Sequence, residues 1–216
     1  MNASDRAIPI GNVLRADIRG FVVASRIPEP DVPTFGTFVR VPIQQERAQL
    51  IGLVYDIRLQ DDPFLRHLAV TVNEDNPQHQ EIIADQRERV IPVEIGVAAV
   101  GYHDEESVFQ YGLPPQPPMI LKQITVCRSE EVSRFTERPD WIHPLLENRD
   151  VPVDALIARA LQRSAGLYGA TGTDARTTYL LRASRYLARF LAREPLRLET
   201  ILRQLNVDTQ EQHPIE

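Results

Sequence analysis

Leu53-Val54-Tyr55-Asp56-Ile57-Arg58-Leu59 places Leu53, Tyr55, Ile57 and Leu59 at every second position, with Asp56 and Arg58 between the later ones. Successive side chains of a strand point to opposite faces, so this spacing predicts a β-strand with one face in a core and the other in solvent. On either side of it, residues 10–16, 18–25, 36–43, 49–59 and 68–72 combine β-branched and aromatic residues and are bounded by Gly, Pro, Asp or Asn, the signature of short strands. Many strands at close spacing with few helices between them favour an antiparallel sheet closed on itself, because closure removes exposed edges. The predicted fold is therefore mainly β with α: a small closed antiparallel β-barrel over residues 8–128, a join over 129–152, and a C-terminal segment of three helices over 153–206.

Two interruptions of the barrel are expected. Asn76 followed by Pro77 reads as an N-cap and first-turn proline, with good helix formers to Arg89, before a strand resumes at Ile91. Leu113-Pro114-Pro115-Gln116-Pro117-Pro118 must run extended, because each proline fixes its own φ and restrains its predecessor. It reads as a rigid strap before a strand-like run over residues 119–126. Beyond the polar join, Val153, Leu156, Ile157, Ala160 and Leu161 share one helical face, and Leu198, Ile201, Leu202 and Leu205 share another. Between them a longer helix is expected over about 175–193, capped by Asp174 and ended by Pro195, its apolar stripe running through Tyr179, Leu180, Ala183, Leu187, Phe190 and Leu191.

The barrel region resembles the N-terminal barrel shared by HerA-type DNA-translocating ATPases and the F1-type ATP synthase subunits. The resemblance is carried by Ile10-Gly11-Asn12-Val13-Leu14, by Phe35-Gly36-Thr37-Phe38-Val39-Arg40-Val41 and by Leu50-Ile51-Gly52-Leu53-Val54-Tyr55-Asp56-Ile57, with Ala99-Val100-Gly101-Tyr102 and the proline strap in the order such chains show. It covers residues 8 to about 140. It implies an assembly module that helps subunits form rings or docks an associated nuclease, with no catalytic residue on the barrel. The segment after the barrel is shorter and more helical than the nucleotide-hydrolysing domain of those ATPases.

The residue inventory gives enzymatic chemistry little to work with. Lys122 is the only lysine among 24 basic residues, and its place in a strand-like run reads as structural. Gly169-Ala170-Thr171-Gly172-Thr173-Asp174-Ala175-Arg176-Thr177 echoes a phosphate loop, but Asp174 stands where a glycine is required and Ala175 where the lysine is required. The five histidines, among them His103 in an acidic, solvated-looking tip with Asp104, Glu105 and Glu106, show no metal-ligand spacing. Cys127 has no partner for a disulfide and reads as a buried strand residue. No catalytic, cofactor-binding or metal-ligating residue is predicted, and no apolar run is long enough to cross a bilayer. A cytoplasmic location is expected.

Charge distribution carries the functional signal. Residues 151–205 hold nine Arg against four Asp and Glu, a net of +5 where the whole chain is −6, which leaves −11 elsewhere. Arg182, Arg185, Arg189 and Arg193 are spaced 3, 4 and 4 apart and so line one helical stripe. This candidate interaction stripe has three readings: a solvated face or a contact with the chain's own acidic barrel, a docking surface for an acidic protein partner or a second copy, or a nucleic-acid contact. The expected function is non-enzymatic protein interaction and assembly, as an adaptor for a HerA-like ATPase or translocase, a nuclease, or further copies of the chain. Nucleic-acid binding through the Arg stripe is the alternative, opposed by the acidic net charge and the lack of aromatic interleaving.

Overall fold

The structure, a computed structural model, describes residues 9–25, 33–59, 93–104, 106, 108–169 and 173–206. The strand expected over 68–72 and the helix expected over 76–89 lie outside the described residues. Among the described residues seven strands form a single antiparallel sheet: β1 (Pro9–Asp17), β2 (Gly20–Ser25), β3 (Phe38–Ile43), β4 (Ala48–Leu59), β5 (Val93–Asp104), β6 (Phe109–Tyr111) and β7 (Gln123–Val126). Their order is β2-β1-β7-β3-β4-β5, and β2 pairs back with β5 from Gly20 opposite Ala98 to Ser25 opposite Val93. The ring is thus a closed six-stranded barrel, and β6 adds to β5 as an extra strand.

Closure needs curvature, and bulges supply it. The β4–β5 ladder slips between Ile51 and Gly52 and again between Val54 and Asp56, and β1 slips between Val13 and Arg15. Gly52 lies at one such slip because a Cβ there would collide with the Val97 side chain. At Gly101 a Cβ would come within 2.6 Å of the Gln110 carbonyl and 2.9 Å of the Phe135 ring. The glycines of these strands let backbone and aromatic layers approach.

The second β4 slip alters the facial reading of the stretch Leu53 to Leu59. Leu53 and Tyr55 face the outer cluster, whereas Val54 and, beyond the bulge, Ile57 pack in the barrel interior. Leu59 is exposed. The four alternate residues therefore do not share one face, because the extra residue at the bulge inverts the alternation. Both faces of β4 are buried: Leu50 and Val54 join Val13, Val23, Val41 and Ile95 inside the barrel, while Ile51 and Leu53 meet the helices.

The helical layer begins earlier than the sequence suggested. The 129–152 join carries α1 (Ser129–Thr136), a 3₁₀ turn (Pro139–Ile142) and α2 (His143–Leu146). Phe135, Trp141, Ile142 and Leu145 from this stretch are all buried in the outer cluster. The Phe38 ring on β3 meets Phe135 at 6.1 Å and Trp141 at 5.5 Å, both edge to face, a favoured aromatic geometry. Three more helices complete the layer, α3 (Val153–Gly169), α4 (Thr173–Phe190) and α5 (Pro195–Asn206). Asp174 lies in the first turn of α4 and not at its cap, and Pro195 opens α5, a position where its missing N–H costs nothing. The strand-like run 119–126 is a strand only over Gln123–Val126. Met119, Ile120 and Leu121 form an exposed turn, with Leu121 at φ +67°. Lys122 is held by Glu46 at 2.6 Å.

Because Phe135 links barrel and helices, Phe135→Ala is expected to lower unfolding free energy by about 3–5 kcal/mol. Chemical denaturation followed by the β-sheet amide band in the infrared and by helical circular dichroism should give one coincident transition, since both layers share a core. Separate transitions would show two independent units.

Candidate functional site

Tyr179, Ala183 and Leu187 recur every fourth residue on α4, and these residues together with Leu191 are buried. This face is turned to the core, so the opposite flank of α4 faces solvent. Arg182, Arg185 and Arg189 are exposed on that flank, and they line a groove of about 510 Å³ with Leu181, Tyr186 and Pro139. The sequence-predicted stripe is therefore largely assembled, with one exception. α4 ends at Phe190, and Arg193 lies in the turn before Pro195, outside the groove lining.

Each cation in the groove has its own circumstances. Arg182 donates from Nη1 to the Glu137 carbonyl at 2.7 Å, which fixes α4 to the end of α1. Arg185 and Arg189 have no ion pair among the described residues, whereas other arginines of the helical layer are paired: Arg138 with Asp140 at 2.9 Å, Arg197 with Asp154 at 2.7 Å and Arg203 with Glu199 at 2.6 Å. Among the described residues, no acid of the barrel pairs with the stripe.

Helical spacing alone puts Phe190 in the core stripe and leaves the cations without aromatic interleaving. Phe190 is instead 47% exposed at the end of α4, where the burying neighbours run out. Its ring lies 4.6 Å from that of Tyr186 and 5.0 Å from that of His143, so a short aromatic row borders the cations. The spacing of Tyr186 and Phe190, four apart and each next to an arginine, is the signal that would have revealed it.

A second ionisable cluster sits at the seam between barrel and helices. His103 on β5 is largely buried, its ring edge-to-face with Phe109 at 5.4 Å, and it is not part of a solvated acidic tip. Glu131 on α1 receives Arg40 Nη1 at 3.1 Å and faces His103 Nε2 at 3.7 Å. His103 Nδ1 lies 3.0 Å from the Asp104 carbonyl, which can only accept, so Nδ1 carries a proton there. The neutral ring then turns a lone pair toward a carboxylate, and protonation converts that repulsion into an ion pair. The Glu131 carboxylate accordingly raises the His103 pKa, against the opposing effects of burial and Arg40. Burial opposes ionisation of Glu131, yet His103 and Arg40 together hold its pKa below the usual value. Cys127 is buried beside them, and burial pushes its thiol pKa well up, so it is a thiol and not a nucleophilic thiolate at neutral pH. The cluster ties β3 and β5 to α1.

Among the described residues no group of three or more His, Cys, Asp and Glu is placed to hold a metal ion, and no helix is long and apolar enough to cross a membrane. The phosphate-loop echo falls partly on residues 170–172, outside the described residues. No protein-family model matches the chain, and no curated protein matches it.

The seam gives a pH dependence with a definite sign. A histidine whose folded pKa is raised contributes stability that is full below about pH 6.5 and is lost as pH rises through the folded pKa. A carboxylate with a lowered folded pKa contributes stability present above about pH 4.5 and lost on acidification. The seam's combined contribution is thus greatest between these values. His103→Gln is expected to flatten the decline in melting temperature above pH 6.5, and an unchanged slope would refute the ion pair.

Proposed function

We propose that this chain is a non-enzymatic interaction and assembly module that serves a HerA-like translocating ATPase or further copies of itself. The observation that carries this reading is the α4 groove, where Arg185 and Arg189 stand exposed and unpaired among the described residues beside exposed Leu181. Exposed cations next to apolar surface are suited to an acidic partner, because charge steers the encounter and apolar contact holds the complex. The resemblance of residues 8 to about 140 to assembly barrels adds to this reading, and the closed antiparallel ring is compatible with it.

Nucleic-acid binding is a second reading, favoured by one observation: the Tyr186 and Phe190 rings beside the arginines. Base stacking on aromatics next to cations is a common way to hold single strands.

Size exclusion with light scattering, together with capture by a HerA-like translocase, tests the first reading. Self-association or capture is expected for the native chain and should be lost in the Arg185→Glu, Arg189→Glu double variant. A monomer that captures nothing would overturn it. For the second reading, a gel shift on single-stranded DNA should weaken steeply with salt and vanish in the same variant.

A further inference from the structure

The α4 groove makes two different demands on an occupant. Its rim is cationic, with Arg182, Arg185 and Arg189, while Leu181, 51% exposed, and Tyr186 provide apolar surface. We propose that the groove takes an acidic amphipathic helix from a protein partner, laid along α4, with an apolar side chain against Leu181 and Tyr186 and carboxylates on Arg185 and Arg189. This rests on reading the chain as a protein-interaction module and specifies the chemistry of its partner.

Three observations favour that occupant. The first is spacing: residues three and four apart on a helix rise about 4.5 and 6 Å along its axis. Carboxylates three and four apart on a second helix rise by the same steps, so two helices lying side by side bring rung to rung. Each guanidinium can also take a carboxylate through two parallel hydrogen bonds.

The second is charge. Residues 151–205 carry +5, and Asp140, the acid that influences Tyr186, is already engaged by Arg138 at 2.9 Å. Among the described residues the groove therefore keeps its positive field for an incoming segment. The whole chain at −6 repels a long polyanion, whereas a short acidic helix meets mainly the local field.

The third is the use already made of the rings. Tyr186 packs on Phe190, and Phe190 on His143, in tilted contacts at 4.6 and 5.0 Å. These faces are partly spent on each other, which favours a peptide side chain on the groove over bases stacked along it.

The test measures fluorescence anisotropy of a labelled synthetic helical peptide with Glu three and four apart beside a Leu and Trp stripe. Comparison probes are the same peptide with Glu replaced by Gln, an unstructured polyglutamate and a single-stranded oligonucleotide. The acidic helix is expected to bind best and to lose about tenfold or more in affinity with Arg185→Glu, Arg189→Glu. A peptide with Lys in place of Glu should recover binding to that variant. Leu181→Ser should weaken the acidic helix, because its apolar contact is lost. Absence of binding, equal binding of the Gln peptide or of polyglutamate, or tighter binding of the oligonucleotide would each overturn the proposal. If the acidic helix fails while assembly or translocase capture persists, the partner chemistry falls and the assembly reading stands. If it binds while the chain stays monomeric and captures no translocase, the reverse holds.

Discussion

Phe135 is the contact on which the arrangement depends. Its ring is fully buried and lies 6.1 Å from Phe38 on β3 and 5.4 and 5.3 Å from Phe109 and Tyr111 on β6, so one side chain from α1 touches two strands of the sheet. A closed barrel with a filled interior has little use for apolar residues on its outside, yet β3, β4 and β5 carry Phe38, Ile51, Leu53 and Val100 there. These need a cover. Phe135 and Trp141 begin it, α3 extends it with Leu156, Ile157 and Leu161, and α4 closes it with Tyr179, Ala183 and Leu187. The orientation of α4, and hence which of its flanks meets solvent, is set by that chain of contacts back to the barrel wall.

Much of the ring was legible because its signals are local. Short β-rich runs bounded by Gly, Pro and Asp mark strands whatever they pair with, and the helical repeats of Val153 to Leu161 and Leu198 to Leu205 need only their own spacing. The bulge after Val54 was hidden, since a slip in pairing is a property of two strands, and it moved Ile57 to the face opposite Leu53. The 129–152 stretch misled for a related reason. Its polar residues and prolines dominate the composition, whereas its few apolar residues, Phe135, Trp141, Ile142 and Leu145, decide its place. Pro195 reads as a stop for the helix before it, but a proline also starts a helix well, and only the structure distinguishes the two.

The candidate site was partly legible for the same physical reason. Arg182, Arg185 and Arg189 lie on one flank because helical spacing puts them there, and the buried face of α4 turns that flank outward. Arg193 left the stripe when the helix ended three residues sooner. Phe190 has the spacing of a core residue, but the last residue of a helix has no succeeding turn to cover it, so it remains exposed. An aromatic border to the cations was thus concealed inside what read as the core stripe.

The mixed character of the groove bears on how strongly it can hold anything. Exposed ion pairs contribute about 0–1 kcal/mol each, because water solvates the separated charges nearly as well as they solvate each other. Three arginines on an open helix would steer a partner and release it. Apolar contact changes the balance: a side chain seated on Leu181 and Tyr186 excludes water from the neighbouring guanidiniums, and in the lower local dielectric the same charges attract more strongly. Charge selects the occupant and apolar contact retains it. An occupant with only one of these properties uses only part of what α4 presents.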